Sequence, residues 1–278
     1  MNWLRRAGTQ RNHKSVTIPL CLCAFVAITC SAQAPSKKIK EFSVEEVNTV
    51  SIDRLGNFYL VFKKGSIKKY DTDGNLMNEF SNPESVAITM LEPWNPLRVF
   101  VYSREQQLVL LLDRFLASQE KITLDPSLAI RPVLASPTPN NNFWLLDEAD
   151  FSLKRIDSKS TRVLQEINLK LAPGVKPDFT FLREYQNQLF LIDRQSGAEI
   201  LSVVGKPIRT FQIKNLGFLG FLGQEIYYLE NGKIKLYDLY SEEQREFNVD
   251  PLAQFVLITD ERMVVVKKSA VEVWEYKP

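Results

Sequence analysis

The stretch Val50-Ser-Ile-Asp-Arg-Leu-Gly-Asn-Phe-Tyr-Leu-Val-Phe62 holds two short apolar runs either side of an Asp-x-x-Gly-Asn turn. The residues that follow repeat the pattern. Lys64-Gly65 is a turn, Ser66-Ile-Lys-Lys-Tyr70 alternates apolar and polar side chains, and Asp73-Gly74 is another turn. Short apolar runs bounded by Gly, Asn and Asp read as strands joined by tight hairpins. Alternation at every second residue marks a strand with one face in the core.

The Phe58–Phe62 run has five successors along the chain: Val99–Tyr102, Phe143–Leu146, Leu189–Ile192, Ile226–Leu229 and Met263–Val266. With Tyr59, Phe100, Trp144, Phe190, Tyr227 and Val264 as markers, the spacings are 41, 44, 46, 37 and 37 residues. An alternating partner follows in several units, as in Leu153–Ile156, Lys233–Tyr237 and Ala270–Tyr276. A third strand precedes each marker: Thr49–Ile52, Val86–Thr89, Pro132–Ala135, Phe179–Leu182, Phe218–Phe221 and Phe255–Ile258. Gly217, Gly220 and Gly223 suit close packing near a crowded axis. No helical period appears inside the units, which excludes a helical solenoid. Four short antiparallel strands in about 40 residues make a propeller blade.

The sequence therefore predicts an all-β, six-bladed β-propeller of four-stranded antiparallel blades over residues 33–278. The last unit supplies three strands before Pro278. The unassigned segment Ile39–Val47 is expected to be its fourth, so that the N-terminal strand closes the last blade and removes an exposed edge.

The pattern apolar-x-apolar-Asp-x-x-Gly-Asn-apolar-Tyr, then apolar-x-x-aromatic-Asp-x-x-Gly, in residues 50–75 resembles an NHL-type propeller repeat. Ile226–Asp238 is similar in its second half, and the other units lack the signature glycines. The resemblance implies a fold and little about activity. Among six-bladed relatives, gluconolactonase-like enzymes hold a divalent metal through Glu, Asn and Asp at the channel mouth. Amidating-lyase relatives use His ligands.

The first residues carry Arg5, Arg6, Arg11 and Lys14 and no acid, then an apolar run from Val16 to Cys30, then Ser31-Ala32-Gln33-Ala34. This is the layout of a secretory signal over residues 1–32. As a helix the run would span about 22 Å, short of the roughly 30 Å hydrocarbon core. The Ser-Ala-Gln exit resembles signals of Bacteroidota. The expectation is an exported protein of the periplasm or cell envelope. Cys30 is a candidate lipidation site, which would make the chain an outer-membrane lipoprotein. A membrane is a partner only through that lipid or an uncleaved signal.

Without residues 1–32, 31 of the 35 Lys/Arg remain against 33 Asp/Glu, a net charge of −2. No basic face emerges, so nucleic acid is not an expected partner. His13, Cys21, Cys23 and Cys30 are the only histidine and cysteines, and all precede residue 31. The remaining chain offers no Ser-His-Asp triad, no thiol nucleophile and no usual zinc set. No Gly-rich phosphate loop precedes a helix, so nucleotide binding lacks support.

Oxygen ligands remain. Asp147, Asp193 and Glu230 end second strands, and Asp113 follows a later one. Asp53, Glu92, Glu184 and Asp260 end innermost strands. Both sets could form a ring round one mouth of the channel, where calcium is the metal that oxygen ligands alone would take. Strand-end acids also cap turns and stay solvated, which is the commoner role. Trp94, in Trp94-Asn95-Pro96, is a candidate partner-binding residue, or it packs under its own loop. The leading expectation is a non-catalytic binding or scaffolding propeller, with no cofactor, that serves an envelope protein or a small ligand. The alternative is a calcium-dependent hydrolase or lactonase with carboxylates at the channel mouth.

Overall fold

The second strands have apolar centres, which must be covered on both faces, and the ring of blades covers them most fully in blades 1, 2 and 3. The computed structural model describes residues 37–81, 86–171, 174 and 176–277. The expected signal over 1–32 and Cys30 lie outside them. The described residues contain 24 strands and no helix. Their six four-stranded antiparallel sheets are the blades of a propeller.

Blade 1 is β2 (Val47–Ile52), β3 (Phe58–Phe62), β4 (Ile67–Tyr70) and β5 (Leu76–Phe80). Blade 2 is β6 (Met90–Glu92), β7 (Val99–Ser103), β8 (Leu108–Leu112) and β9 (Ser118–Thr123). Blade 3 is β10 (Pro132–Pro137), β11 (Phe143–Asp147), β12 (Ser152–Ile156) and β13 (Val163–Asn168). Blade 4 is β14 (Phe179–Tyr185), β15 (Gln188–Asp193), β16 (Gly197–Ser202) and β17 (Pro207–Phe211). Blade 5 is β18 (Gly220–Leu222), β19 (Glu225–Glu230), β20 (Lys233–Asp238) and β21 (Gln244–Asn248). Blade 6 joins β22 (Phe255–Ile258), β23 (Arg262–Val266) and β24 (Ala270–Glu275) to β1 (Lys38–Ser43).

The N-terminal strand thus closes the last blade, with Glu41 opposite Glu272 and Ser43 opposite Ala270. It ends at Ser43, and Val47 already belongs to blade 1. Two other expected strands sit elsewhere. The innermost strand of blade 2 is Met90–Glu92 and not Val86–Thr89. Both segments are apolar, and pairing against Phe100–Tyr102 decides between them. In blade 5 the strand begins at Gly220 rather than Phe218, because the hairpin at Gly223 fixes its register.

All six marker residues are buried: Tyr59, Phe100, Trp144, Phe190, Tyr227 and Val264. The outermost strands are largely exposed, as in β13, where Ile167 alone is buried. Polar tips of buried aromatics fasten a blade to the next. Tyr102 Oη donates to Pro132 O in blade 3 at 2.8 Å. Trp144 Nε1 donates to Glu184 Oε2 in blade 4 at 2.7 Å. Tyr227 Oη accepts the Ile258 N–H of blade 6 at 2.9 Å. Each bond satisfies a group whose burial unpaired would cost about 1–3 kcal/mol.

Gly220 is required by this packing. A Cβ on Gly220 would lie 2.0 Å from the ring of Tyr227. Gly217 and Gly223 meet nothing within 4 Å, so close packing at the axis holds for Gly220 alone.

Candidate functional site

The Asp-x-x-Gly-Asn turns have a local explanation. Asp53 accepts the N–H groups of Leu55 and Asn57, the Asn57 amide and the Tyr59 hydroxyl. Asp71 repeats this with Asp73 and Asn75. Gly56 and Gly74 take φ of +82° and +84°, where a side chain would be strained. Asp113 likewise caps its turn through Phe115 and Ala117 N–H. These acids build hairpins.

In an antiparallel meander, first strands and second strands end on opposite sides. The two carboxylate sets therefore occupy opposite faces of the ring and do not share one mouth. Asp147 is fully buried. It accepts N–H groups of Ile130, Arg131 and Ala149 and lies 2.8 Å from the Lys154 ammonium. Burial alone would raise its carboxyl, but Lys154 and those N–H donors hold it below the usual range. Asp193 holds the equivalent place in blade 4. It accepts the Asp178 N–H at 2.7 Å and the Ser196 hydroxyl, which together keep it low despite burial. Glu230 pairs with Lys235. Each acid serves its own blade, and among the described residues no three His, Cys, Asp or Glu side chains converge as a metal-holding group. On the other face Asp260 is exposed, Asp53 is committed to its turn, and Glu184 is taken by Trp144.

Glu92 and Trp94 differ from the rest. They end the innermost strand of blade 2 and begin its hairpin, and the Glu92 Oε1 accepts the Trp94 N–H at 3.0 Å. Arg183, on the innermost strand of blade 4, brings its Nε to 3.0 Å from Glu92 Oε2. Burial pushes the Glu92 carboxyl up against the pull of that guanidinium. The Arg183 guanidinium also sits 4.7 Å from the Phe221 ring of blade 5 and 5.7 Å from the Trp94 ring. Tyr185 stands edge-on to Trp94 at 6.4 Å, and its hydroxyl donates to Gly223 O. Trp94 keeps 47% of its surface exposed.

This cluster rims a cavity of about 520 Å³ that runs in between blades 2 and 3. Phe100, Val109, Leu111, Ile122 and Phe143 form its apolar wall. A second cavity, of about 450 Å³, opens at the starts of the innermost strands. Thr49, Thr89, Thr180, Asn215 and Gln254 line it, drawn from five blades, and it marks the opposite mouth of the channel.

Arg183, Tyr185 and Phe221 were not singled out in the sequence. The one signal was a charged residue directly after the apolar Phe179–Leu182 strand. Their meeting depends on ring closure, which joins segments about 90 residues apart in the chain.

No family model matches the chain, and no curated protein matches it. Solved structures do resemble it. The WD40 domain of Neurospora crassa Pan2 superposes with a TM-score of 0.58 at 12% identity, covering 87% of this chain and 86% of that one. Virginiamycin B lyase from Staphylococcus aureus superposes with a TM-score of 0.56 at 10% identity, covering 85% and 99%. A catalytically inactive form of that lyase, with one histidine replaced by alanine and with quinupristin, gives 0.53 at 12% identity, covering 82% and 80%. At these identities the likeness establishes the propeller fold alone.

Proposed function

We propose that this chain is a non-catalytic binding propeller of the cell envelope, and that it takes its ligand at the face carrying Trp94. One observation carries the reading. A half-exposed Trp stands at the mouth of an apolar cavity, held there by the Glu92 carboxylate and the Arg183 guanidinium. Pockets of this size, with an apolar body and a few fixed polar groups, suit small-molecule binding. A pre-positioned Trp loses little entropy when a ligand covers it.

The non-catalytic part rests on the chemistry present. The described residues contain no histidine or cysteine. The group whose replacement inactivates the similar lyase therefore has no counterpart among them. Of the carboxylates singled out, all but the exposed Asp260 are engaged in turns, ion pairs or, for Glu184, an indole hydrogen bond. Export to the envelope follows from the basic head and apolar run before residue 33, and Cys30 would add a lipid tether.

The test is affinity capture from an envelope extract on immobilised residues 33–278, with Trp94→Ala beside the wild type. The expected result is a ligand held by the wild type, released chemically unchanged by mass spectrometry and lost from Trp94→Ala. Equal retention by both would move the site elsewhere. Release as a converted product would overturn the non-catalytic reading.

A further inference from the structure

The cavity at Trp94 also carries information about the charge of its occupant. Its wall is apolar, so the buried part of a ligand must be apolar too. Charge resides at the rim, where Glu92, Glu184, Arg54, Arg98 and Arg183 contribute. Glu92 is committed to Arg183 and the Trp94 N–H, and Glu184 gives one oxygen to the Trp144 indole. Arg183 is neutralised by Glu92 in turn. The other two arginines are less engaged. Arg54 is exposed and forms no ion pair among the described residues. Arg98 lies 3.5 Å from Glu120, a half-exposed acid that is not part of the cavity lining. The cavity lining thus carries three arginines against two carboxylates, and Arg54 is the guanidinium among them with no ion pair among the described residues. A guanidinium fork matches a carboxylate in planar, bidentate fashion.

We infer that the ligand is an amphipathic organic acid. Its apolar body fills the space between Phe100, Leu111, Ile122 and Phe143, and its carboxylate meets Arg54 and Arg98 beside Trp94. This rests on the reading that the cavity is the binding site, and it adds the ligand's class.

The probes are 2-naphthoate and decanoate, with their uncharged counterparts 2-naphthamide and decanol, titrated calorimetrically into residues 33–278. The expected result is that each acid binds about tenfold more tightly than its neutral partner, the effect of one charge-assisted contact. In Arg54→Gln/Arg98→Gln the ratio should fall to about one while the neutral probes still bind. Arg54 is exposed and Arg98 pairs only with the half-exposed Glu120, so this variant should lose little stability. Leu111→Phe, which narrows the apolar wall, should weaken binding of all four. Thr138→Trp at the mouth is a second occluding variant should Leu111→Phe melt early.

Equal affinity for acid and neutral probes overturns the organic-acid class and leaves the cavity standing as the binding site. An acid preference that survives in the double arginine variant also overturns it. Binding untouched by either occluding variant sinks both the class and the cavity. No binding of any probe overturns the ligand class, and the capture on Trp94→Ala then decides separately whether that face is used.

Discussion

The Arg183 guanidinium lies 3.0 Å from the Glu92 carboxylate although the two residues belong to the innermost strands of blades 4 and 2. The pair reaches past blade 3, and each side chain keeps only 10% of its surface exposed. It ties non-adjacent blades together at the mouth of the cavity. It also sets the angle at which Trp94 is presented, because Glu92 accepts the Trp94 N–H.

Removal of one partner strands the other's charge. Arg183→Met is expected to lower the unfolding free energy by about 3–5 kcal/mol. Arg183→Met/Glu92→Gln should recover most of that loss, since a buried pair contributes little net stability. Urea unfolding of the four proteins completes the cycle. A single-variant loss below about 1 kcal/mol would mean that the pair is solvent-screened.

The Asp147–Lys154 pair predicts acid sensitivity. The Asp147 carboxyl is held below its ordinary value in the fold, as are Asp193 and Glu272. A depressed carboxyl contributes stability at pH above its unfolded value, about 4, and loses it as pH falls through the folded value. Unfolding free energy should therefore drop steeply below about pH 4. Asp147→Asn should lower stability at pH 7 and flatten that slope, as urea titrations at pH 3, 4 and 7 will show. An unchanged slope would remove Asp147 from the account.

Gly220→Ala places a methyl group inside the ring of Tyr227, whose hydroxyl is anchored by the Ile258 N–H. The expected cost is about 1–3 kcal/mol. Gly217→Ala, with open space around it, should stay within about 0.5 kcal/mol of wild type. Paired thermal melts read the contrast, and equal midpoints would show that the ring gives way.

Calcium has a direct test as well. The oxygens of Asp147 and Asp193 are filled by N–H, hydroxyl and ammonium donors. A chelator is expected to leave the thermal midpoint of residues 33–278 unchanged, and added Ca²⁺ should not raise it. A rise with millimolar Ca²⁺ that is lost in Asp193→Asn would restore the hydrolase alternative.

The ring was legible because its information is local. Phe58–Phe62 and Phe255–Ile258 are strands with the bounds their apolar runs suggest, and Tyr59 and Trp144 fall where a rhythm of 37–46 residues puts buried aromatics. Val86–Thr89 failed because apolarity cannot choose between two neighbouring apolar segments when a partner strand sets the register. The acids show the same divide. Asp53 and Asp71 behave as their own turns dictate. The meeting of Glu92 with Arg183 is a long-range fact that no window of sequence contains. Trp94 was visible only as an aromatic in a loop, and its place over a cavity between two blades depends on both blades.

The closing pair of strands has a mechanical consequence. Lys38 sits opposite Trp274, so the chain enters and leaves the ring side by side at one end of the same ladder. Force applied to the two ends would peel this seam one hydrogen bond at a time instead of loading all of them together. The protein should therefore yield at its seam under small loads, with blade 6 losing its outermost strand before any other blade unravels. If it hangs from the envelope by its N-terminal end alone, that tension never crosses the seam.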